Sequence, residues 1–301
     1  MKHVLQSLVA VSSLSLVACG SSSSSDSSGT GTFSLGLTDG PVESSSEVVV
    51  TFTSIQVQGE ESKVIELDPA ISLNLLDYQG ESRTMLFEGE TFKAGEYQWI
   101  RLGIDEAASY IEIEGLQYPL EIPSGAQNGL KLNRRFTIGA GSATDFTIDF
   151  DVRKSVHQEG TGDYKLRPTL RLVDNLEVNT VRGTVVGSLI EDVACNNGDN
   201  NDTGNAVYLF SGSDAAIQDL QGNATDVLTS ATVTYNMDTS AYEFEIGYVP
   251  LGEYVIAFTC DATLDIYNED NTDVMAFSSA FPVDATGEED VVVDITDSIS
   301  I

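Results

Sequence analysis

The sequence predicts an all-β protein built from two antiparallel β-sandwich modules. Three observations carry that reading. Short runs alternate apolar and polar residues at period two. Gly, Asn and Asp clusters interrupt the runs at short intervals, as turns between strands do. No long amphipathic helical pattern separates them, which argues against a parallel sheet with crossover helices and for a sandwich. The 301 residues suit one large domain or two ordinary ones, and a 41% hydrophobic share supplies real cores.

The elements begin with an address. Lys2 and His3 precede a mostly apolar stretch, Val4 to Val17, too short to span a bilayer. Residues 1–18 therefore read as an export signal. Leu16-Val17-Ala18-Cys19-Gly20 resembles the bacterial lipobox, with cleavage before Cys19. That resemblance implies a lipidated Cys19, anchored to a membrane by several acyl chains, since one chain alone binds marginally. Gly20 in place of Asp favours the outer membrane over inner-membrane retention. Residues 19–32 form a Ser/Gly tether with Asp26 as its one charge, a flexible coil reaching about 20 Å.

The first module is expected over residues 33–175. Phe33, Leu35 and Leu37 alternate with small polar residues, and Asp39-Gly40-Pro41 is a turn. Val48 to Val57 is a second strand and Ser72 to Tyr78 a third element. Tyr97 to Ile104 alternates again; Tyr110 to Ile113 and Gln117 to Ile122 flank a Glu114-Gly115 turn. Phe146, Ile148, Phe150 and Val152 alternate with acids, one face to the core and one to water. Leu166 to Val173 closes the module, Pro168 marking an edge.

The second module is expected over residues 181–301, after a boundary near 180. Its strands are expected at Val181 to Gly187, Ala206 to Ser211, Ala231 to Tyr235, Tyr242 to Ile246, Glu253 to Cys260, Met275 to Phe281 and Val291 to Ile295. Leu251-Gly252-Glu253-Tyr254 echoes Ala94-Gly95-Glu96-Tyr97, either by common descent or by common turn chemistry.

Leu35-Gly36-Leu37-Thr38-Asp39-Gly40-Pro41, Leu73-Asn74-Leu75-Leu76-Asp77, Ile122-Pro123-Ser124-Gly125 through Leu132, and Asp149-Phe150-Asp151-Val152-Arg153-Lys154-Ser155 occur in order. Together they resemble a bacterial lipoprotein family carrying the domain of unknown function 4382, over about residues 31–175. The resemblance implies a surface-anchored β module and no known activity. Gly183-Thr184-Val185 and Pro250 to Val255 make the second module loosely similar to carboxypeptidase-regulatory or transthyretin-like sandwiches, which implies a spacer or binding role. Both modules are thus expected to be immunoglobulin-like or transthyretin-like in layout.

With 47 acids against 14 Lys and Arg, the net charge is −33, so nucleic acid is a poor partner. His157 is the one histidine beyond the export signal, and Val156 to Gly162 reads as an exposed loop. A histidine zinc site or a Ser-His-Asp triad has little to build on. No nucleophile elbow, phosphate loop or dinucleotide fingerprint is present, and no enzymatic activity is expected. Cys195 and Cys260, in an oxidising compartment, are expected to pair. The loop after Cys195 offers Asn197, Asp199, Asn201 and Asp202 as calcium ligands, without EF-hand spacing; a polar turn-rich loop is the simpler account. Asp265 to Asp273 reads as a second solvated acidic loop.

Lys131, Arg134 and Arg135 form a basic cluster, beside a polar loop with Ser124, Gln127 and Asn128. These six are the ligand-contact candidates, although pairing of these cations, and of Lys165, Arg167 and Arg171 farther along, with Asp145, Asp149 or Asp151 is the simpler use. Trp99, on an alternating strand, is expected in the core, with sugar stacking as the other use of such an aromatic. The functional expectation is an envelope binding or scaffolding lipoprotein with an unknown protein or glycan partner, with adhesion and calcium assistance as its refinements. A subunit of a fimbria-like or polysaccharide assembly, joined by strand addition, is the alternative. A carboxylate hydrolase is the weakest reading.

Overall fold

The computed structural model describes residues 29–40, 45–123, 129–160, 162–191, 195, 204–220, 227–265, 275–287, 289–296 and 299–300. Within them the chain is all-β. The first fourteen strands are β1 (Thr30–Asp39), β2 (Glu47–Gln58), β3 (Ser62–Asn74), β4 (Thr84–Lys93), β5 (Gly95–Tyr97), β6 (Trp99–Ile104), β7 (Tyr110–Ile113), β8 (Leu116–Glu121), β9 (Leu130–Leu132), β10 (Phe136–Ile138), β11 (Ala143–Asp151), β12 (Val156–Gln158), β13 (Tyr164–Leu166) and β14 (Thr169–Asp174). A four-stranded sheet runs β14-β11-β1-β4, and a larger one runs β12-β13-β8-β7-β2-β6-β9 with β3 also on β2. The two enclose one core. Phe33, Leu35 and Leu37 of β1 and Phe146, Ile148 and Phe150 of β11 meet Val50, Phe52, Ile55 and Val57 of β2 and Ile100 and Leu102 of β6. Phe33 lies at the centre of an aromatic cluster with Phe87, Phe92, Phe136 and Phe146, ring centroids 5.2–5.9 Å away.

The second set is β15 (Val178–Val185), β16 (Ala206–Ser211), β17 (Val227–Thr232), β18 (Thr234–Asn236), β19 (Ala241–Pro250), β20 (Glu253–Thr259), β21 (Phe277–Ser278), β22 (Phe281–Asp284), β23 (Val291–Ile295) and β24 (Ile299–Ser300). Sheets β18-β19-β15-β23 and β17-β16-β20-β22 share a second core. Strands β16 and β20 are buried on both faces, because Ala206, Tyr208, Phe210, Val255 and Ala257 join a third apolar cluster behind the sheet. This explains why Ala206-Val207-Tyr208-Leu209-Phe210 is apolar without alternation.

Several expectations change. The sandwiches are not purely antiparallel: β1 pairs β11, β8 pairs β13 and β15 pairs β23 in parallel. The first strand opens at Thr30, inside the expected tether, because Thr32 and Phe33 continue the β11 ladder against Ala143 and Thr144. β15 opens at Val178, before the expected 181, and only residues 175–177 separate it from β14. Ser72 to Tyr78 ends β3 and then turns into a short 3-10 helix, Leu75–Asp77. Leu166 to Val173 is two strands in different sheets with Pro168 between them. The alternation that runs to Val152 breaks into one helical turn, Val152–Ser155, whose N-terminus Asp151 caps by accepting from the Lys154 amide at 3.1 Å. The Glu114-Gly115 turn holds, with φ of 51° and 77°, the backbone of a tight hairpin.

Among the described residues, the halves meet both at the turn before β4 and at the helical turn after β11. Glu81 accepts from Thr180 Oγ1 at 2.6 Å and Arg182 at 3.0 Å, while its amide donates to Glu245 at 3.0 Å. Arg153 from the helical turn hydrogen-bonds Tyr208 and lies 3.8 Å from Asp265, with both charged side chains nearly or fully buried.

Candidate functional site

Strand β6 buries Ile100, Leu102 and Ile104, so the intervening Trp99 and Arg101 face outward. Trp99 is therefore half-buried on the outer face and not in the core. The parity of β6 settles this, since the three aliphatic residues occupy the core side. Strand β9 buries Leu130 and Leu132 and projects Lys131 outward. In the antiparallel register Arg101 stands directly opposite Lys131. Both cations lie over the Trp99 ring, the Arg101 guanidinium carbon 4.9 Å and the Lys131 Nζ 4.8 Å from its centroid. On the other side of β6, Gln58 and Gln56 of β2 pair with Trp99 and Arg101 and extend the same polar face. The local backbone makes this possible at Gly129. Its φ of 64° is left-handed, and a Cβ there would sit 2.3 Å from the Leu102 carbonyl oxygen. Only glycine lets the chain enter β9 this close to β6.

Like charges directly opposed across a strand pair are destabilising, and no described carboxylate forms an ion pair with either. Among the described residues, Arg83 takes Asp145, Arg171 takes Asp149 and Lys154 takes Asp151. The expected internal pairing thus holds for Arg171 with Asp149, while Lys131, Arg134 and Arg135 pair with none of those three acids. Lys63, Lys93, Arg153, Lys165, Arg167 and Arg182 also have acidic partners. The four described cations without an ion pair are Arg101, Lys131, Arg134 and Arg135, and they lie within β6, β9 and the residues after β9. Each cation–π contact returns about 0.5–1 kcal/mol, so the ring partly offsets the repulsion. Beside them a groove of about 310 Å³ is lined by Lys131, Arg134 and Arg171 together with Leu132, Asn133, Pro168, Leu170 and Leu172. Arg171 Nη1 and Arg101 Nε are buried without a hydrogen-bond partner. Chemically, the face offers one stacking ring, several N–H donors and a positive field on an otherwise strongly acidic molecule.

The other sequence candidates divide. Cys195 and Cys260 form a disulfide with Cα atoms 5.3 Å apart. Ser124, Gln127 and Asn128, the residues Asn197, Asp199, Asn201 and Asp202, and Cys19 with its signal and most of its tether lie outside the described residues. No group of three His, Cys, Asp or Glu able to hold a metal occurs among the described residues. His157 does not sit in an exposed loop; it is half-buried on β12 opposite Lys165, and burial, with the nearby Arg167 charge, lowers its pKa. Asp265, expected in a solvated loop, is buried against Tyr208, which donates to it at 2.7 Å. Burial raises its pKa, opposed by that hydrogen bond and by Arg153. No described helix is long and apolar enough to cross a membrane.

No curated protein matches the chain. Among solved structures it is similar to a leucine-rich repeat protein from Bacteroides thetaiotaomicron at 15% identity and TM-score 0.21, covering 90% of this chain and 27% of that one. It is similar to a family CBM26 module of Eubacterium rectale Amy13K, solved with maltoheptaose, at 10% identity and TM-score 0.21, covering 89% and 96%. It is also similar to GBS52, the minor pilin of Streptococcus agalactiae, at 8% identity and TM-score 0.20, covering 89% and 97%. The chain spans 27% and 34% of the first two structures it matches. TM-scores this small mean that the chains do not superpose as wholes, and no functional weight rests on them. The sequence comparison is sharper: residues 30–168, which hold β1 to β13 and with them the Trp99 face, match the family described as Domain of unknown function (DUF4382).

Proposed function

We propose that the protein is a non-enzymatic, lipid-anchored envelope protein that binds acidic polysaccharide through the Trp99–Arg101–Lys131 face. One observation carries this: two of the four described cations without carboxylate partners, Arg101 and Lys131, lie over a half-buried tryptophan, and a third, Arg134, lines the adjoining groove with Lys131. On a chain with a net charge of −33, cations left unpaired in one place are held for an external anion. A sugar ring can stack on Trp99 while uronate or sulfate groups meet Arg101, Lys131 and the groove cations, in charge-assisted hydrogen bonds of about 1.5–3 kcal/mol each. The field of the rest of the molecule repels polyanions, so binding depends on this local face and weakens as salt screens it. Cys19 lipidation and the Ser/Gly tether support display of the face away from the membrane.

The test is capture on immobilised polyuronate, with wild type against Trp99→Ala, Arg101→Ala and Lys131→Ala. Lys165→Ala, which removes a cation already paired with Glu121 and Glu159, is the control. The proposal expects each of the first three to weaken binding about tenfold or more and the control to bind as wild type. Equal binding by all four variants would reject it.

A further inference from the structure

Between the two halves lies a second cavity, of about 590 Å³, and none of its lining residues belongs to the Trp99 face or its groove. One wall is the end of β1 with the turn at Gln79 and Gly80; the other is the outer face of β15 and β19 with the edge of β17. Its lining is dense in hydroxyl groups, among them Thr184, Thr229, Ser230 and Thr234.

The carboxylates there are mostly occupied. Asp149 is held by Arg171 at 3.0 Å, Asp294 by Thr184 at 2.8 Å, and Glu243 by Asn236 at 2.8 Å and Thr239 at 2.6 Å. Glu245 accepts from the Glu81 amide at 3.0 Å. Two lining groups are not satisfied. Asp39 is 4% exposed; its Oδ1 accepts from the Val152 amide at 3.0 Å and its Oδ2 has no hydrogen-bond partner. Arg182 keeps its Nη2 on Glu81 and Asp290, but its buried Nε has no partner. A buried acid and a buried N–H donor, both unmatched, point to a ligand that can accept and donate hydrogen bonds.

The charge balance selects the class. The acids lining the cavity oppose an anion. A directly bound metal finds no triplet of ligands among the described residues. Burial, with Asp151 and Asp149 nearby, raises the Asp39 pKa well above its usual value against the pull of the Val152 and Gly40 amides, which shifts the carboxyl toward its protonated, donating form. We infer that this cavity is a second binding site, for an uncharged sugar unit, in which Asp39, Arg182 and the surrounding threonine and serine hydroxyls contact the sugar hydroxyls. The volume lies within the range of small-molecule sites. An envelope protein so built would hold a neutral sugar at the junction of its halves and an acidic chain on its outer face.

The experiment is calorimetric titration of the full chain with a panel of uncharged di- and trisaccharides of glucose, galactose, mannose and xylose. At least one is expected to bind. Asp39→Leu, which keeps the volume and removes both the donor and the acceptor, should weaken that binding about tenfold. Thr234→Trp, a change at an exposed position on the cavity mouth, should block it without disturbing a core. Lys131→Ala should leave it unchanged. Failure of the whole panel, binding that survives both cavity variants, or binding lost in Lys131→Ala would each overturn the inference.

Discussion

Removing the Cys195–Cys260 disulfide should destabilise the second half of the chain and spare the first. The bridge closes a segment with a sequence separation of 65. In the chain-entropy model a loop of that size restricts the unfolded chain by about 4 kcal/mol at 25 °C. Packing loss is small in a double Cys195→Ala, Cys260→Ala variant, since only the two sulfur atoms are removed and both Cβ atoms stay against the core around Val207 and Phe258. Unfolding entropy near 2.1 cal/mol/K per residue over roughly 120 residues from Val178 onward converts that loss into a Tm decrease of about 15 °C. Differential scanning calorimetry of the oxidised, reduced and double-alanine proteins measures it. Reduction and substitution should lower the same transition by the same amount, while hydrogen exchange in β1, β2 and β11 stays slow at temperatures where β16 and β20 have opened. A decrease below about 3 °C would refute the loop-closure argument, and so would equal loss of protection in both halves.

The remaining predictions concern the junction and the binding face. A Cβ at Gly247 would stand 2.2 Å from the Gly80 carbonyl oxygen and 2.6 Å from its carbon, both backbone atoms. Gly247→Ala should therefore separate the halves, costing about 1–3 kcal/mol and enlarging the radius of gyration in solution scattering. Asp39 has a folded pKa above its unfolded value. Its contribution to stability is therefore fully present below the unfolded pKa and is lost as pH rises toward the folded one. Asp39→Asn should flatten the fall in Tm as pH rises above the ordinary carboxylate range, and an unchanged difference between the two proteins as pH rises would contradict the burial argument. Gly129→Ala meets both a left-handed φ and the Leu102 carbonyl, so it should displace β9, cost about 1–3 kcal/mol and abolish polyuronate capture while hydrogen exchange in β1 and β11 is unaltered.

Much of the fold was legible because period-two alternation survives wherever one strand face is buried. β1, β2, β6 and β11 lie where Phe33, Val48, Trp99–Leu102 and Phe146–Phe150 placed them. What escaped was tertiary. β4 (Thr84–Lys93) went unread because its apolar residues, Leu86, Phe87 and Phe92, do not keep a strict period. The parallel pairing of β1 with β11 joins residues more than a hundred positions apart, a relation no local pattern carries. The Trp99 face was half legible. Lys131 was visible as a cation, yet its release from internal pairing depended on Arg83, Lys154 and Arg171 reaching the acids first. Trp99 was misplaced although Ile100, Leu102 and Ile104 already required the opposite face for it. Arg101 drew no notice, because only the register with β9 brings it to Lys131. The junction cavity had no sequence signal, since it is shared by strands from both halves.

An anionic ligand on the Trp99 face would be held by Arg101 and Lys131. The most direct measurement is the affinity for a soluble polyuronate as a function of salt, in wild type and in Arg101→Ala. If counterions are displaced from the ligand by these side chains, log K falls linearly with log salt, and the line for Arg101→Ala is both lower and shallower. Parallel lines for the two proteins, or an affinity indifferent to salt, would contradict it.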